Sequence, residues 1–191
     1  MSGVNAHVGV SPHSQCSYNE EAHQAMNQKS ITPGRPPAHR SQILQETVHD
    51  SYKSSAKLPS PTLCPECGAV YADGRWQWLD RPQNAHTEKC PACHRIHDRY
   101  PAGYVRLEGE FLNKHRGELI ELIRNLEKRE SAEHPVQRIM DIVDESRGVL
   151  VSTTDIHLAH GIGEALQHAY KGELDSHYLD EEKLLRVHWR R

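Results

Sequence analysis

Cys64-Pro-Glu-Cys67 and Cys90-Pro-Ala-Cys93 are two cysteine knuckles separated by 22 residues in a chain of 191. Each C-x2-C pair lets two thiolates reach one ion from a tight turn, and two pairs complete the tetrahedral sulfur shell that Zn²⁺ prefers. Iron–sulfur and disulfide interpretations are the alternatives for cysteines at this spacing. The sequence therefore predicts one structural zinc ion bound by Cys64, Cys67, Cys90 and Cys93.

The residues between the knuckles have the pattern of a β-hairpin. Ala69-Val70-Tyr71 predicts a short strand, Asp73-Gly74 a turn, and Arg75-Trp76-Gln77-Trp78-Leu79 an aromatic strand. Such a hairpin between two ligand pairs is typical of a zinc ribbon, which we predict over residues 63–107 with a third strand at 99–107. Because four cysteines close the metal shell, the site favours a structural role over hydrolysis. His94 and His97 follow the second knuckle and are alternative ligands.

The composition limits how much of the chain can be core. Only 36% of the residues are hydrophobic, there is a single Phe, and the formal net charge is −3. No apolar run approaches the roughly 18 residues that span a bilayer, and the polar N-terminus lacks the pattern of a secretory signal. Cysteines at metal-binding spacing fit a reducing compartment, so we expect a cytoplasmic protein in which Cys16 is incidental.

The N-terminal segment, residues 1–62, is rich in polar punctuation and lacks a sustained hydrophobic period. Such a segment cannot bury enough apolar surface to offset its ordering entropy. We predict a disordered tail. A brief helix over residues 41–48 would be either a docking element or part of an idle tail.

The rest of the chain predicts an α+β fold. Apolar residues recur at helical spacing over 108–130, which indicates a long amphipathic helix that packs on its own domain or pairs with a partner. Pro135 introduces a shorter helix that ends near Ser146, so residues 108–147 form a helical linker and helix pair. Residues 148–191 are predicted to be a small α+β domain with a strand at 148–154, a helix at 156–170 capped by Asp155, and a hairpin of 173–179 with 183–190.

The parity of this hairpin predicts one apolar and one charged face. With a two-residue turn, Leu174, Ser176 and Tyr178 share a face with Leu185, Val187 and Trp189, and the pairs Asp175–Arg186 and Glu173–His188 lie on the other. The apolar stripe of helix 156–170 would cover the apolar face. Its opposite stripe carries His157, His160, Glu164 and His168, which suits either a solvated surface or a second metal or proton-sensitive surface.

Three segments together resemble a known family. These are the two cysteine knuckles, the run Gly148-Val149-Leu150-Val151-Ser152-Thr153-Thr154-Asp155-Ile156-His157-Leu158-Ala159, and the ending Leu185-Arg186-Val187-His188-Trp189. They resemble short bacterial zinc-ribbon proteins associated with a low-oxygen-activated locus, a family without an established activity. The layout is similar, more distantly, to the ribosome-export and mRNA-decay adaptors, which dock on the large ribosomal subunit. The resemblance transfers only the four cysteines, as zinc ligands.

Two binding functions follow from these features, and no catalytic motif supports an enzyme. The first is association with RNA or ribosomal particles under stress or low oxygen. It would use the aromatic and basic side chains Arg75, Trp76, Trp78, Arg95, Arg99, Arg186, Arg190 and Arg191. The second is a protein–protein adaptor or stress-response regulator that binds through helix 108–130, which the acidic net charge favours.

Overall fold

The structure is a computed structural model that describes Tyr52, residues 57–179 and residues 181–191. The predicted tail lies outside these residues except for Tyr52 and residues 57–62. Cys16 and the predicted helix over 41–48 lie outside them too. The described residues all belong to one unit, Pro37–Arg191.

A small four-stranded sheet carries the cysteines. Its strands are β1 (Thr62–Leu63), β2 (Val70–Ala72), β3 (Arg75–Gln77) and β4 (His86–Thr87), in the order β3-β2-β1-β4. Strands β2 and β3 form the hairpin predicted between the knuckles. Helix α1 (Pro91–Asp98) follows the second knuckle and was not predicted. We call residues 61–100 the cysteine module.

The larger sheet has five strands in the order β6-β7-β5-β9-β8. The strands are β5 (Gly103–Glu108), β6 (Ile139–Glu145), β7 (Gly148–Thr153), β8 (Glu173–Leu179) and β9 (Leu184–Arg190). Only β5 and β9 are parallel, and the other pairs are antiparallel. Helices α2 (Glu110–Glu133) and α3 (Ile156–Tyr170) complete the unit, so the predicted α+β class is confirmed.

One face of this sheet packs against the two helices and the other is open. Side chains alternate between the faces with the strand period of two. The core contains residues from β5, β7, β9 and both helices: Val105, Leu107, Leu119, Ile123, Val149, Val151, Leu158, Ile162, Leu166, Leu185, Val187 and Trp189. Helix α2 is the long amphipathic helix of the prediction, and its apolar side is buried in this core, as expected if it packs on its own domain.

The segment that the sequence predicts as a helix ending near Ser146 is strand β6. The spacing of Val136, Ile139, Met140 and Val143 is helical, but a two-residue turn reverses the chain and pairs the segment with β7 from Glu145↔Gly148 onwards. A register shift between Ile139 and Asp141 breaks the simple alternation that would have indicated a strand. The helix prediction is therefore wrong because tertiary pairing outweighs a short periodic signal.

The strand predicted to complete the ribbon lies in the other sheet. Strand β5 pairs with β7 on one side and β9 on the other, at the middle of the five strands. Its alternating buried residues meet the helical layer, which sequence order alone cannot indicate. Strands of the larger sheet therefore lie both before and after α2 in the sequence.

The C-terminal hairpin has the predicted faces but not the predicted partners. Leu174 is opposite Trp189 and Tyr178 is opposite Leu185, so the apolar face is confirmed. Asp175 is opposite His188, where the sequence predicted Arg186, because the loop between β8 and β9 has four residues and not two. A slip of two residues changes the partners and preserves the faces. Asp155 caps α3 as predicted, accepting bonds from the backbone N–H groups of His157 and Leu158.

No helix within the described residues is both long and apolar enough to cross a bilayer.

Gly109, between β5 and α2, is a test of this packing. Its φ is 106°, and a Cβ there would lie 2.1 Å from the backbone oxygen of Arg191. We expect Gly109→Ala to lower the free energy of unfolding by about 2 kcal/mol or more, because it adds a clash to a strained backbone. Gly117→Ala is the matched control, since nothing lies within 4 Å of its Cβ. Urea unfolding should show that control unchanged or stabilised by about 0.5–1 kcal/mol; equal effects of both changes would contradict the packing.

Candidate metal centre

The four knuckle cysteines converge on one point. Their sulfur atoms all lie within 4.8 Å of one another, and the Sγ atoms of Cys67 and Cys90 are 3.7 Å apart. A tetrahedral ion with metal–sulfur bonds of about 2.3 Å separates its ligand sulfurs by about 3.8 Å. All four are free thiols, so no disulfide competes for them. The predicted ligands are thus placed to hold one metal ion.

Each knuckle is shaped by local backbone chemistry. In the first, the N–H of Gly68 donates to the oxygen of Cys64 at 3.0 Å, and Gly68 has a φ of 80° that favours glycine. In the second, Cys90 is the N-cap of α1, its sulfur accepts from the N–H of Cys93 at 3.5 Å, and Pro91 occupies the first turn. The positive end of the α1 dipole therefore lies at the sulfur cluster.

The centre is enclosed. Cys64, Cys90 and Cys93 are buried, and Ala69, Ala92 and the half-buried Trp76 pack around them. The backbone N–H of Cys90 donates to the sulfur of Cys64 at 3.3 Å. A shell of three buried sulfurs and the half-buried sulfur of Cys67 suits a structural ion.

Arg138 connects the metal centre to the large sheet. Its Nη2 donates to the sulfurs of Cys90 and Cys93, both at 3.3 Å. Its backbone N–H donates to Thr154 Oγ1 at 2.9 Å, and its oxygen accepts from the Thr154 N–H at 2.9 Å. Four thiolates and a divalent ion carry a net charge of about −2, which this guanidinium partly offsets. Nothing in the local sequence indicates the role of Arg138, which lies 45 residues beyond Cys93.

Hydrogen bonding and burial shift the pKa values of three of the cysteines in different directions. The hydrogen bond with Cys90 lowers the pKa of Cys67 to about 4 and raises that of Cys90. Burial raises the pKa of Cys93 to about 11, while the Arg138 guanidinium opposes that increase. The Cys67 thiolate is favoured before a metal binds, and the positive charge of a metal would favour ionisation of Cys90 and Cys93.

The residues that the sequence predicted to bind RNA or a partner are spread over the surface and the interior. Trp76 packs on the cysteine cluster and contacts Tyr71 edge-to-face, with ring centroids 5.6 Å apart. Trp78 is 45% exposed and its Nε1 donates to the Ser131 oxygen at 2.7 Å. Arg75 and Arg99 are exposed.

Arg95 is buried, although the sequence placed it among the binding residues. Its guanidinium lies 4.5 Å from the centroid of the Tyr52 ring, and Nη1 donates to the Tyr100 oxygen at 3.1 Å. This cation–π contact holds Tyr52 against the cysteine module.

The three C-terminal arginines have partners within the chain. Arg186 lies 3.5 Å from Glu182 and Arg190 lies 2.5 Å from Glu173. Arg191 lies over the Phe111 ring, 4.1 Å from its centroid, and donates to the Tyr170 oxygen.

The histidine stripe of α3 does not bring ligands together. Only the cysteines place three or more potential ligand atoms within 4.8 Å of one another in the part of the chain that the structure describes. His160 lies 3.7 Å from Glu164, and His157 and His168 line a surface groove between α2 and α3. His94 and His97 are likewise outside the sulfur cluster.

Cys64→Ser tests the ligand set. We expect this change to lower bound metal from one equivalent to nearly none, because three thiolates cannot close the tetrahedral shell. Elemental analysis after desalting measures it. A variant that kept one equivalent with wild-type stability would contradict the assignment.

Arg138→Met tests the contact between the guanidinium and the cysteine sulfurs. We expect metal affinity to fall about 10–100-fold, since the sulfurs lose their buried counter-charge while the backbone bonds to Thr154 remain. Competition with a chromogenic chelator measures it. The control is Arg129→Met, whose side chain is 71% exposed. Equal affinities of the two variants would show that Arg138 does not act on the metal.

No protein-family model, curated protein or solved structure matches this chain. Membership of the low-oxygen zinc-ribbon family therefore stays a prediction from the sequence, and the function is inferred from geometry.

Proposed function

We propose that this chain is a zinc-binding accessory protein that acts by binding another macromolecule, and that its metal centre is structural. The observation that carries the proposal is the enclosed four-sulfur shell tied to the large sheet by Arg138. Sulfur-only tetrahedral shells select zinc or iron among the biological metals, and zinc is the common structural ion.

The proposal includes that the chain is not an enzyme. A catalytic zinc retains one position for water or substrate, and four thiolates occupy every position. The buried cysteines and the guanidinium above them support an ion that stabilises the fold. When bound, the ion would join the cysteine module to the start of β6 through Arg138 and contribute directly to folding.

The nature of the partner is constrained by charge. Affinity for nucleic acid comes mainly from cations that neutralise phosphates, and the net charge here is −3. Arg95 is buried, and Arg190 is held by Glu173. These features favour a protein partner. The apolar side of α2 is committed to the core, so we do not assign the partner to that side of the helix.

RNA or ribosomal association remains a second candidate because of one observation. Trp78 and Tyr100 of the cysteine module are 45% and 48% exposed, and Arg75 and Arg99 are exposed on the same module. Exposed rings with nearby guanidinium groups are suited to stacking on unpaired bases. Under this second candidate function, the association would take place under stress or low oxygen.

Metal removal tests the structural role. We expect a strong chelator to lower the midpoint of thermal unfolding and to expose Trp76 fluorescence to quenchers, because the module loses the ion that its four cysteines would hold. Zinc addition should reverse both changes, and an unchanged unfolding curve after verified metal loss would overturn the proposal.

Fluorescence anisotropy with a labelled single-stranded RNA, at low and physiological salt, separates the two partner classes. We expect weak binding that disappears as salt rises. Salt-resistant binding that Trp78→Ala reduces about tenfold, with His157→Ala as control, would instead establish the RNA candidate. Sedimentation of a cell lysate on a sucrose gradient then shows whether ribosomal particles carry the protein.

A further inference from the structure

The two outer strands of the large sheet, β6 and β8, are protected very differently. An edge strand presents unpaired backbone N–H and C=O groups, and proteins normally cover or interrupt such edges. Strand β6 has a bulge between Ile139 and Asp141. The N–H of Ile139 donates to Glu127 Oε1 at 2.6 Å, and the N–H of Ile142 donates to Asp141 Oδ1 at 2.8 Å. This edge is interrupted by the bulge and by two side chains, Glu127 from α2 and Asp141 from β6 itself.

Strand β8 has no such protection in the part of the chain that the structure describes. Its seven residues pair with β9 without a register shift, from Glu173↔Arg190 to Leu179↔Leu184. It contains no proline and no lysine, and among the described residues no side chain caps the backbone of residues 173–177 as Glu127 and Asp141 do on β6. A regular edge strand of this kind is suited to strand addition.

We propose that β8 is a homodimerisation strand, which pairs antiparallel with β8 of a second copy about a twofold axis at Ser176. The proposal does not depend on the metal centre or on the function proposed above. A twofold interface is isologous, so the same strand must be complementary to itself. The sequence Glu173-Leu-Asp-Ser-His-Tyr-Leu179 meets that condition in one register.

With Ser176 opposite its own copy, the exposed face places Asp175 of each chain opposite His177 of the other. Both side chains are exposed on the open face of the sheet. An imidazole N–H donates to a carboxylate in either protonation state, and the contact would form twice. Within one chain the same two groups already contact each other, Nε2 to Oδ2, at 2.8 Å.

The face of β8 that points towards the helices is also complementary to its own copy in this register. Leu174 of each chain lies opposite Tyr178 of the other, and both residues are only half-buried against the core of the single chain. A neighbouring strand would cover their exposed sides. In this register, residues that face the helices in one chain lie opposite residues that face the helices in the other. The helical layers of both copies therefore lie on the same side of a continuous sheet.

The neighbouring registers are worse. A shift that centres the axis on Asp175 pairs Glu173 with His177, but it places Asp175 opposite itself and Leu174 opposite Ser176. A shift that centres it on His177 removes both carboxylate–imidazole pairs. Like charges directly opposite each other in a sheet are destabilising. The register centred on Ser176 is the one of these three that avoids a like-charge contact and also unites the apolar residues.

Analytical ultracentrifugation of the full-length, zinc-loaded chain tests the proposal. We expect the mass to rise from 21.8 kDa towards twice that value between low and high micromolar concentration. His177→Asp should raise the dissociation constant about tenfold or more, because each attractive pair becomes an Asp–Asp contact. The double variant Asp175→His with His177→Asp restores opposite charges and should recover the wild-type constant within about threefold.

His157→Asp is the matched control, since it makes the same change at an exposed position on α3. It should leave the dissociation constant unchanged. Circular dichroism and the unfolding midpoint identify a variant that fails to fold, and the double variant then decides the matter. A wild-type chain that stays monomeric at all concentrations would overturn the proposal. So would a dimer that His177→Asp weakens no more than His157→Asp does, or one that the double variant does not restore.

Discussion

The contact between the Arg138 guanidinium and the sulfurs of Cys90 and Cys93 joins the two halves of the described chain. Four thiolates around a divalent ion carry excess negative charge in an enclosed site, and burying that charge without compensation is costly. The compensating cation comes from the residue immediately before β6. Because the backbone of Arg138 is bonded in both directions to Thr154, the same residue sets the start of the β6–β7 pairing.

The cysteine module also contacts the segment that connects α2 to β6. Trp78 donates to the end of α2 at Ser131, and Val136 packs on the cysteine cluster. These contacts and Arg138 fall within eight consecutive residues, 131–138, which end α2 and lead into β6. The cysteine module therefore packs against the point where the chain leaves the helical layer and enters the sheet, so we expect loss of a bound ion to affect both parts.

The large sheet explains which surfaces are left for partners. Its helical face is filled by α2 and α3, and the open face carries charges that are largely paired within the chain, such as Arg106 with Glu145 at 3.0 Å and His188 with Glu108 at 3.0 Å. Paired charges on an exposed sheet contribute little net attraction for a polyanion. Within the described residues, the regular edge at β8 is the part of this sheet to which we assign a second strand.

Local patterns in the sequence determined the four candidate metal ligands, the β2–β3 hairpin, the Asp155 cap, helix α3 and the apolar face of the C-terminal hairpin. These features depend on spacing, capping and strand parity over a few residues, which a sequence displays directly. Tertiary structure alone decided that residues 139–145 form a strand, that β5 lies at the middle of the large sheet, and that Arg138 reaches the sulfurs. Each of these depends on contacts between residues 40 or more positions apart or on pairing that outweighs local periodicity, and such contacts leave no local signal.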